Sequence, residues 1–160
     1  MPQASETDPR RREQTRKLIE DMLKERQQML VLLWELSKLD FATVDAPTLE
    51  MLQDFQELLV DYIAAGHFGL YQRISEGTER RKAVLDVARE IYPRIASTTD
   101  VAVEFTERYE RPDEALVRDK LTQDLSVLGE MVSNRLELED RLILAMLGND
   151  YQLPQNPAGA

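Results

Sequence analysis

The sequence predicts an all-α protein: a four-helix-bundle core of long amphipathic helices with additional short helical pieces. Three observations predict it. Apolar residues recur at three- and four-residue spacing along most of the chain. No stretch alternates as a half-buried strand would, and the few glycines and prolines fall mostly near the ends of periodic segments. Each apolar face of such helices is buried only by packing against neighbouring helices, which makes a bundle the economical architecture.

Taken in order, a first long helix carries the stripe Leu18, Ile19, Met22, Leu23, Met29, Leu30, Leu33 and Leu36 and ends near Leu39. Asp40 to Pro47 reads as a connector. Asp45 offers a capping oxygen to a second helix with Pro47 in its first turn, and Gly77 supplies a stop, which gives a span of roughly Thr48 to Glu76. A third helix is expected from about Thr78 to Tyr92, with Val84, Leu85, Val87, Ala88 and Ile91 inward. Pro93 should break or kink it, because proline lacks the amide hydrogen and its ring crowds the preceding turn. Ser97-Thr98-Thr99-Asp100 resembles a capping box, so a fourth segment with Val101, Ala102, Phe105 and Tyr109 is expected to start there. Pro112-Asp113-Glu114 opens the last helix with acidic residues at its positive end. Its apolar face runs through Leu121, Leu125, Leu128, Val132, Leu136, Leu142, Ile143, Met146 and Leu147 to Gly148-Asn149, a length of roughly 50 Å at the α-helical rise. Residues 1–15, with the basic run Arg10-Arg11-Arg12, read as a flexible polar tail. Residues 16–149 read as a single helical domain, and residues 150–160, with Pro154, Pro157 and Gly159, as a second flexible tail.

At 160 residues the chain is long enough to bury one continuous core without a metal or disulfide staple. Lys and Arg number 20 against 30 Asp and Glu, a net charge of −10. That surface repels a phosphate backbone on average, so direct nucleic-acid binding is disfavoured while a basic protein partner is allowed. The absence of cysteine rules out disulfides, thiolate nucleophiles and cysteine-ligated metals. No unbroken apolar run is longer than Met29 to Trp34, far short of the ~20 residues that span a bilayer, and the N-terminus is polar. No membrane association is expected, and a cytoplasmic location is.

The strongest local charge bias lies in the second helix. Between Leu39 and Gln72 there is no Lys or Arg, yet Asp40, Asp45, Glu50, Asp54, Glu57 and Asp61 all occur. At about 100° per residue, Leu52, Phe55, Leu59, Ile63, Gly66 and Leu70 share one side. Glu50, Asp54, Glu57, Asp61, Ala64 and Phe68 share the opposite one. An acidic stripe is ordinarily a solvated face, but one that ends in an aromatic pointing away from the core has the composition of an anchor for a basic, partly apolar partner. The competing reading places Phe68 under a neighbouring helix.

Catalytic chemistry finds little support. His67 is the only histidine, and the paired Glu-x-x-His elements of a dimetal bundle are absent, so neither a metal site nor a cofactor is expected. A histidine-phosphotransfer module using His67 is the alternative from another class. Such a module wants cations around the imidazole, whereas Phe68, Gly69 and Leu70 follow it and Glu57 and Asp61 precede it. A small helical enzyme would need arginines that converge on a substrate carboxylate. Arg73, Arg89, Arg94, Arg118 and Arg135 are available, but no spacing among them marks a pocket.

The run Leu59-Val60-Asp61-Tyr62-Ile63-Ala64-Ala65-Gly66-His67-Phe68-Gly69-Leu70-Tyr71 resembles the signature of the Rsd/AlgQ family of regulators of the primary sigma factor. Leu138-Glu139-Asp140-Arg141-Leu142-Ile143-Leu144 is a second match, and Arg26 followed by Met29-Leu30-Val31 a weaker third, so the similarity extends from about Leu18 to Leu147. The resemblance implies a cytoplasmic helical bundle that sequesters the primary sigma factor by contacting its regions two and four. Sigma held in this way is kept from core RNA polymerase and from promoter DNA. It also implies that Asp61 and Phe68 contact sigma, with Ala64 at a position where the family often has serine; the side-chain hydroxyl is therefore missing here. Asp54 and Glu57 extend the same stripe, and His67 and Tyr71 belong to the motif as either contacts or supports. Met22 stands where tryptophan is frequent and Gln56 where cysteine is common. The implied protein is a binding partner, with no catalytic residues.

Overall fold

The computed structural model describes residues 9–154. Helix α1 spans Pro9–Ser37 and helix α2 spans Ala46–Gly66. A π-helical turn, His67–Tyr71, joins α2 to the short α3, Gln72–Ser75. Helices α4, Lys82–Arg108, and α5, Glu114–Leu147, complete the order. Helix α1 packs chiefly on α2 and α4 chiefly on α5, and the two hairpins face each other across a shared core. The protein is all-α, as its periodicity requires. Among the described residues no helix is long and apolar enough to cross a membrane.

Capping chemistry sets several boundaries. Asp45 accepts from the Thr48 amide at 2.9 Å and Asp113 from the Leu116 amide at 2.8 Å, each satisfying an amide that the first helical turn leaves unpaired. After α3 the chain turns at Gly77, whose φ of +76° suits a residue without a Cβ. The core contains Ile19, Met22, Met29, Leu36, Leu52, Phe55, Leu59, Ile91, Phe105, Leu121, Leu128 and Leu142. Met22 is fully buried there. Gln56 donates to the Tyr109 carbonyl at 2.9 Å, so the amide at that position ties α2 to the end of α4.

Several features differ from the sequence reading. First, the helical structure of α1 begins at Pro9, so Arg10-Arg11-Arg12 and Thr15 belong to the helix rather than to a tail. Thr15 is buried, and its hydroxyl accepts from the Arg73 guanidinium, a tertiary contact that local polarity does not reveal. Second, α4 runs unbroken through Pro93. Ile91, Ile95, Thr98, Ala102 and Phe105 make one buried stripe across it, while Pro93 lies on the exposed side. The supposed capping box is therefore helix interior: Ser97 donates back to the Pro93 carbonyl, and Thr98 and Thr99 both donate to the Ile95 carbonyl. Third, the connector contributes to the core through Phe41, which is 4% exposed. Fourth, beyond α5, Tyr151 and Leu153 pack against the core, and the Arg16 guanidinium lies 5.1 Å from the Tyr151 ring centre. Leu18, placed in the inward stripe of α1, is instead exposed.

Candidate partner-binding face

Helix α2 presents the acidic stripe as the wheel places it. Glu50, Asp54, Glu57, Asp61, Ala64 and Phe68 are all exposed, while Leu52, Phe55, Leu59, Gly66 and Leu70 are buried and Ile63 is half-buried. Phe68 exposes 55% of its surface and Val60 53%. Among the described residues no ion pair engages Asp54, Glu57 or Asp61, in contrast to Glu20, Asp86 and Asp124, which pair with arginines. The face therefore offers uncompensated carboxylates beside two apolar side chains. Val60 was not singled out from the sequence. Its signal was present, since it lies four residues before Ala64 and so within one helical step of the stripe.

At the C-terminal end of this face the backbone widens into the π-helical turn. The His67 amide is shared between the Ala64 and Ile63 carbonyls. Gly69 is the residue that makes the turn fit against α1, since a Cβ there would stand 3.1 Å from the Leu18 carbonyl oxygen. Burial then falls on three consecutive residues, Gly69, Leu70 and Tyr71, and leaves His67 and Phe68 outside. The His67 and Phe68 rings meet edge to face with centres 5.2 Å apart. Tyr71, by contrast, is buried, with its ring edge-on to Tyr92. Burial pushes its phenol well above the ordinary value, and the nearby Glu139 carboxylate adds to that shift.

Beneath the face lies a polar cluster that sequence reasoning did not assemble. The Tyr62 hydroxyl donates to Glu139 at 2.6 Å. Arg135 donates to the other oxygen of Glu139 at 3.0 Å and to the Thr98 and Thr99 hydroxyls, and Arg26 reaches Asp140 at 2.8 Å and Glu139 at 3.5 Å. Tyr62 and Glu139 are wholly buried, and Arg26 and Arg135 nearly so. Burial alone would favour neutral arginines, but Asp140 and Glu139 outweigh it for Arg26 and Glu139 does so for Arg135, which hold the guanidinium charges. Tyr62 is the next residue after Asp61, Glu139 sits in the second motif and Arg26 opens the third, so the three stretches that carry the resemblance meet at this point.

The arginines weighed as carboxylate binders do not converge. Arg135 belongs to the buried cluster, Arg73 to Thr15 and Glu79, Arg89 pairs with Asp86 and Arg118 with Asp119, and Arg94 is exposed. Among the described residues no group of three or more His, Asp or Glu side chains is placed to hold a metal ion.

A helical bundle whose most exposed apolar residues include an aromatic at the end of an unpaired acidic row has the surface composition of a protein-binding module. The sequence profile described as regulator of RNA polymerase sigma(70) subunit, Rsd/AlgQ, matches residues 1–147. The chain belongs to that family, and so to the regulators of the sigma(70) subunit. A protein named regulator of sigma D from Enterobacter sp. (strain 638) is 30% identical over 141 residues, covering 85% of this chain and 84% of the relative. Proteins of the same name from Shigella dysenteriae serotype 1 and Escherichia coli O139:H28 are 34% identical over 99 residues, covering 60% of this chain and 61% of theirs. No solved structure matches the chain.

Proposed function

We propose that this protein binds the primary sigma factor of RNA polymerase through the exposed face of α2, with Asp61, Ala64 and Phe68 at the centre and Asp54, Glu57, Val60 and His67 around them. The single observation that carries this reading is the row of unpaired carboxylates running into an exposed phenylalanine. Such a row suits a surface that otherwise meets DNA. The partner's basic groups find carboxylates where promoter phosphates would lie, and the aromatic adds a desolvated anchor that DNA does not offer. The proposed contacts are regions two and four of sigma, region four being its basic helix-turn-helix portion. Binding then acts by competition, withholding sigma from core polymerase and promoter in the cytoplasm, without a chemical step. Ala64 gives this face a small apolar floor between Asp61 and Phe68, where a serine would add a hydrogen bond.

Purified protein mixed with the primary sigma factor should elute as a roughly equimolar complex and reduce transcription from promoters that depend on that factor. If saturating protein leaves both sigma–core assembly and transcription unchanged, the reading fails.

A further inference from the structure

On the flank formed by the start of α1, the α3–α4 connection and the end of α5 lies a cleft of about 420 Å³. Its lining holds five arginines against two glutamates, in a chain whose net charge is −10, and of the five Arg16 is already paired with Glu20 outside the lining at 3.0 Å. Three of the arginines come from separate places in the sequence: Arg11 from the first turns of α1, Arg73 from α3, and Arg81 from just ahead of α4. Glu79 is their buried counter-charge. It is bound bidentately by Arg81 at 3.1 and 3.2 Å and approached by Arg73 at 3.9 Å. One carboxylate thus serves two guanidiniums while a third stands beside them. Arg73 records the imbalance: burial lowers its pKa and, although Glu79 opposes this, Arg11 and Arg81 push it down further. Thr15 and Thr78 add hydroxyls to the wall, and Met146 and Leu147 add an apolar side. The start of α1, the positive end of a 29-residue helix, opens into the same space.

We propose that this cleft is a binding site for a small phosphate-bearing anion, with Arg11 and Arg73 as its principal cations. Like-charged guanidiniums gathered around too little negative charge favour an external anion. The planar forks of arginine match phosphate oxygens two at a time, and the volume falls in the ordinary range for small-molecule sites. Glu79 and its bonds from Arg81 hold the floor. The apolar side from Met146 and Leu147 accommodates the organic part of a phosphate ester. A second hollow shares Arg11, Thr15, Arg73, Thr78 and Met146 with the first and extends to Phe68, so the anion site adjoins the proposed sigma-binding face but is defined without reference to it.

The test uses the full chain without sigma. Inorganic pyrophosphate and inorganic phosphate are titrated while melting is followed, with sodium chloride at matched ionic strength as the reference. Saturable stabilisation by pyrophosphate is expected, since a ligand that binds only the folded state raises its stability by mass action. Arg11→Gln and Arg73→Gln should each weaken the apparent affinity at least tenfold, whereas Arg89→Gln and Arg94→Gln should leave it unchanged. Arg73→Gln also removes a bond to Thr15; if that variant melts too early to titrate, Arg11→Gln decides alone. No stabilisation beyond the sodium chloride reference overturns the proposal, as does stabilisation that survives Arg11→Gln.

Discussion

Asp61 and Tyr62 are neighbours in the chain, about 100° apart around the helix, one exposed to solvent and the other in the buried ion cluster, so a single turn of α2 joins the proposed binding face to the core. That arrangement separates two kinds of substitution. Phe68→Ala and Asp61→Asn should leave the bundle folded and weaken sigma binding, the phenylalanine by about 2 kcal/mol or more if it acts as an interface anchor. Leu59→Ala removes a fully buried side chain and should cost about 2–5 kcal/mol of stability. Melting curves measured beside a sigma pull-down distinguish them; a Phe68→Ala variant that melts like Leu59→Ala yet binds normally would return Phe68 to the core. Glu139→Gln should be more damaging to the fold than its shape suggests. It leaves Arg26 and Arg135 buried beside one charge fewer, and removing a partner from such a cluster costs about 3–5 kcal/mol, readable as a shift in the denaturant midpoint at unchanged slope. This cluster was hidden from sequence reasoning because its members lie on α1, α2, α4 and α5, and only packing brings them together.

At the scale of elements, the π-helical turn and the α3–α4 connection shape the end of the proposed binding face. Periodicity located the helix from Asp45 onward but not the widening at His67, since one extra residue in a turn leaves no pattern in five residues. The connection is held by Glu79, which accepts from the Arg80 and Arg81 amides and from the Arg81 side chain. Burial by itself would raise the Glu79 carboxyl, but those hydrogen bonds and the Arg81 charge outweigh it and hold it below the ordinary value. A depressed carboxyl stabilises the folded state above its unfolded-state pKa, and that stability is lost as the pH falls through the folded-state value. Acid titration should therefore show a loss of stability that begins near the ordinary glutamate value of about 4.3, and Glu79→Gln should flatten that limb. Equal acid slopes in the two proteins would show that Glu79 carries none of it. Helix α4 shows the converse of the π turn. Pro93 was expected to break or kink the helix, but the buried stripe on its far side is continuous and the helix runs through it.

For the whole molecule, charge is distributed unevenly, with the acidic row on α2 and the arginine-rich cleft beyond the π-helical turn. Attraction between exposed charges is screened over about 8–10 Å at moderate ionic strength. Affinity for sigma should therefore fall as salt rises, chiefly through the association rate. An affinity indifferent to salt, measured by titration across that range, would show that the carboxylates of α2 are only solvated.

The sequence by itself determined the helical class, the cap at Asp45, the opening of the last helix at Pro112-Asp113-Glu114, the turn at Gly77 and the two-sided character of α2. Each depends on residues within a few turns of one another, where the spacing of apolar groups and the satisfaction of terminal amides act locally. Only the tertiary structure decided that Arg26, Tyr62, Arg135 and Glu139 form one buried cluster, that Thr15 and Tyr151 belong to the packed molecule, that Tyr71 is buried, and that Arg11, Arg73 and Arg81 share a cleft. Those outcomes rest on contacts between residues far apart in the chain, and a helical period states which way a side chain points but not what stands opposite it.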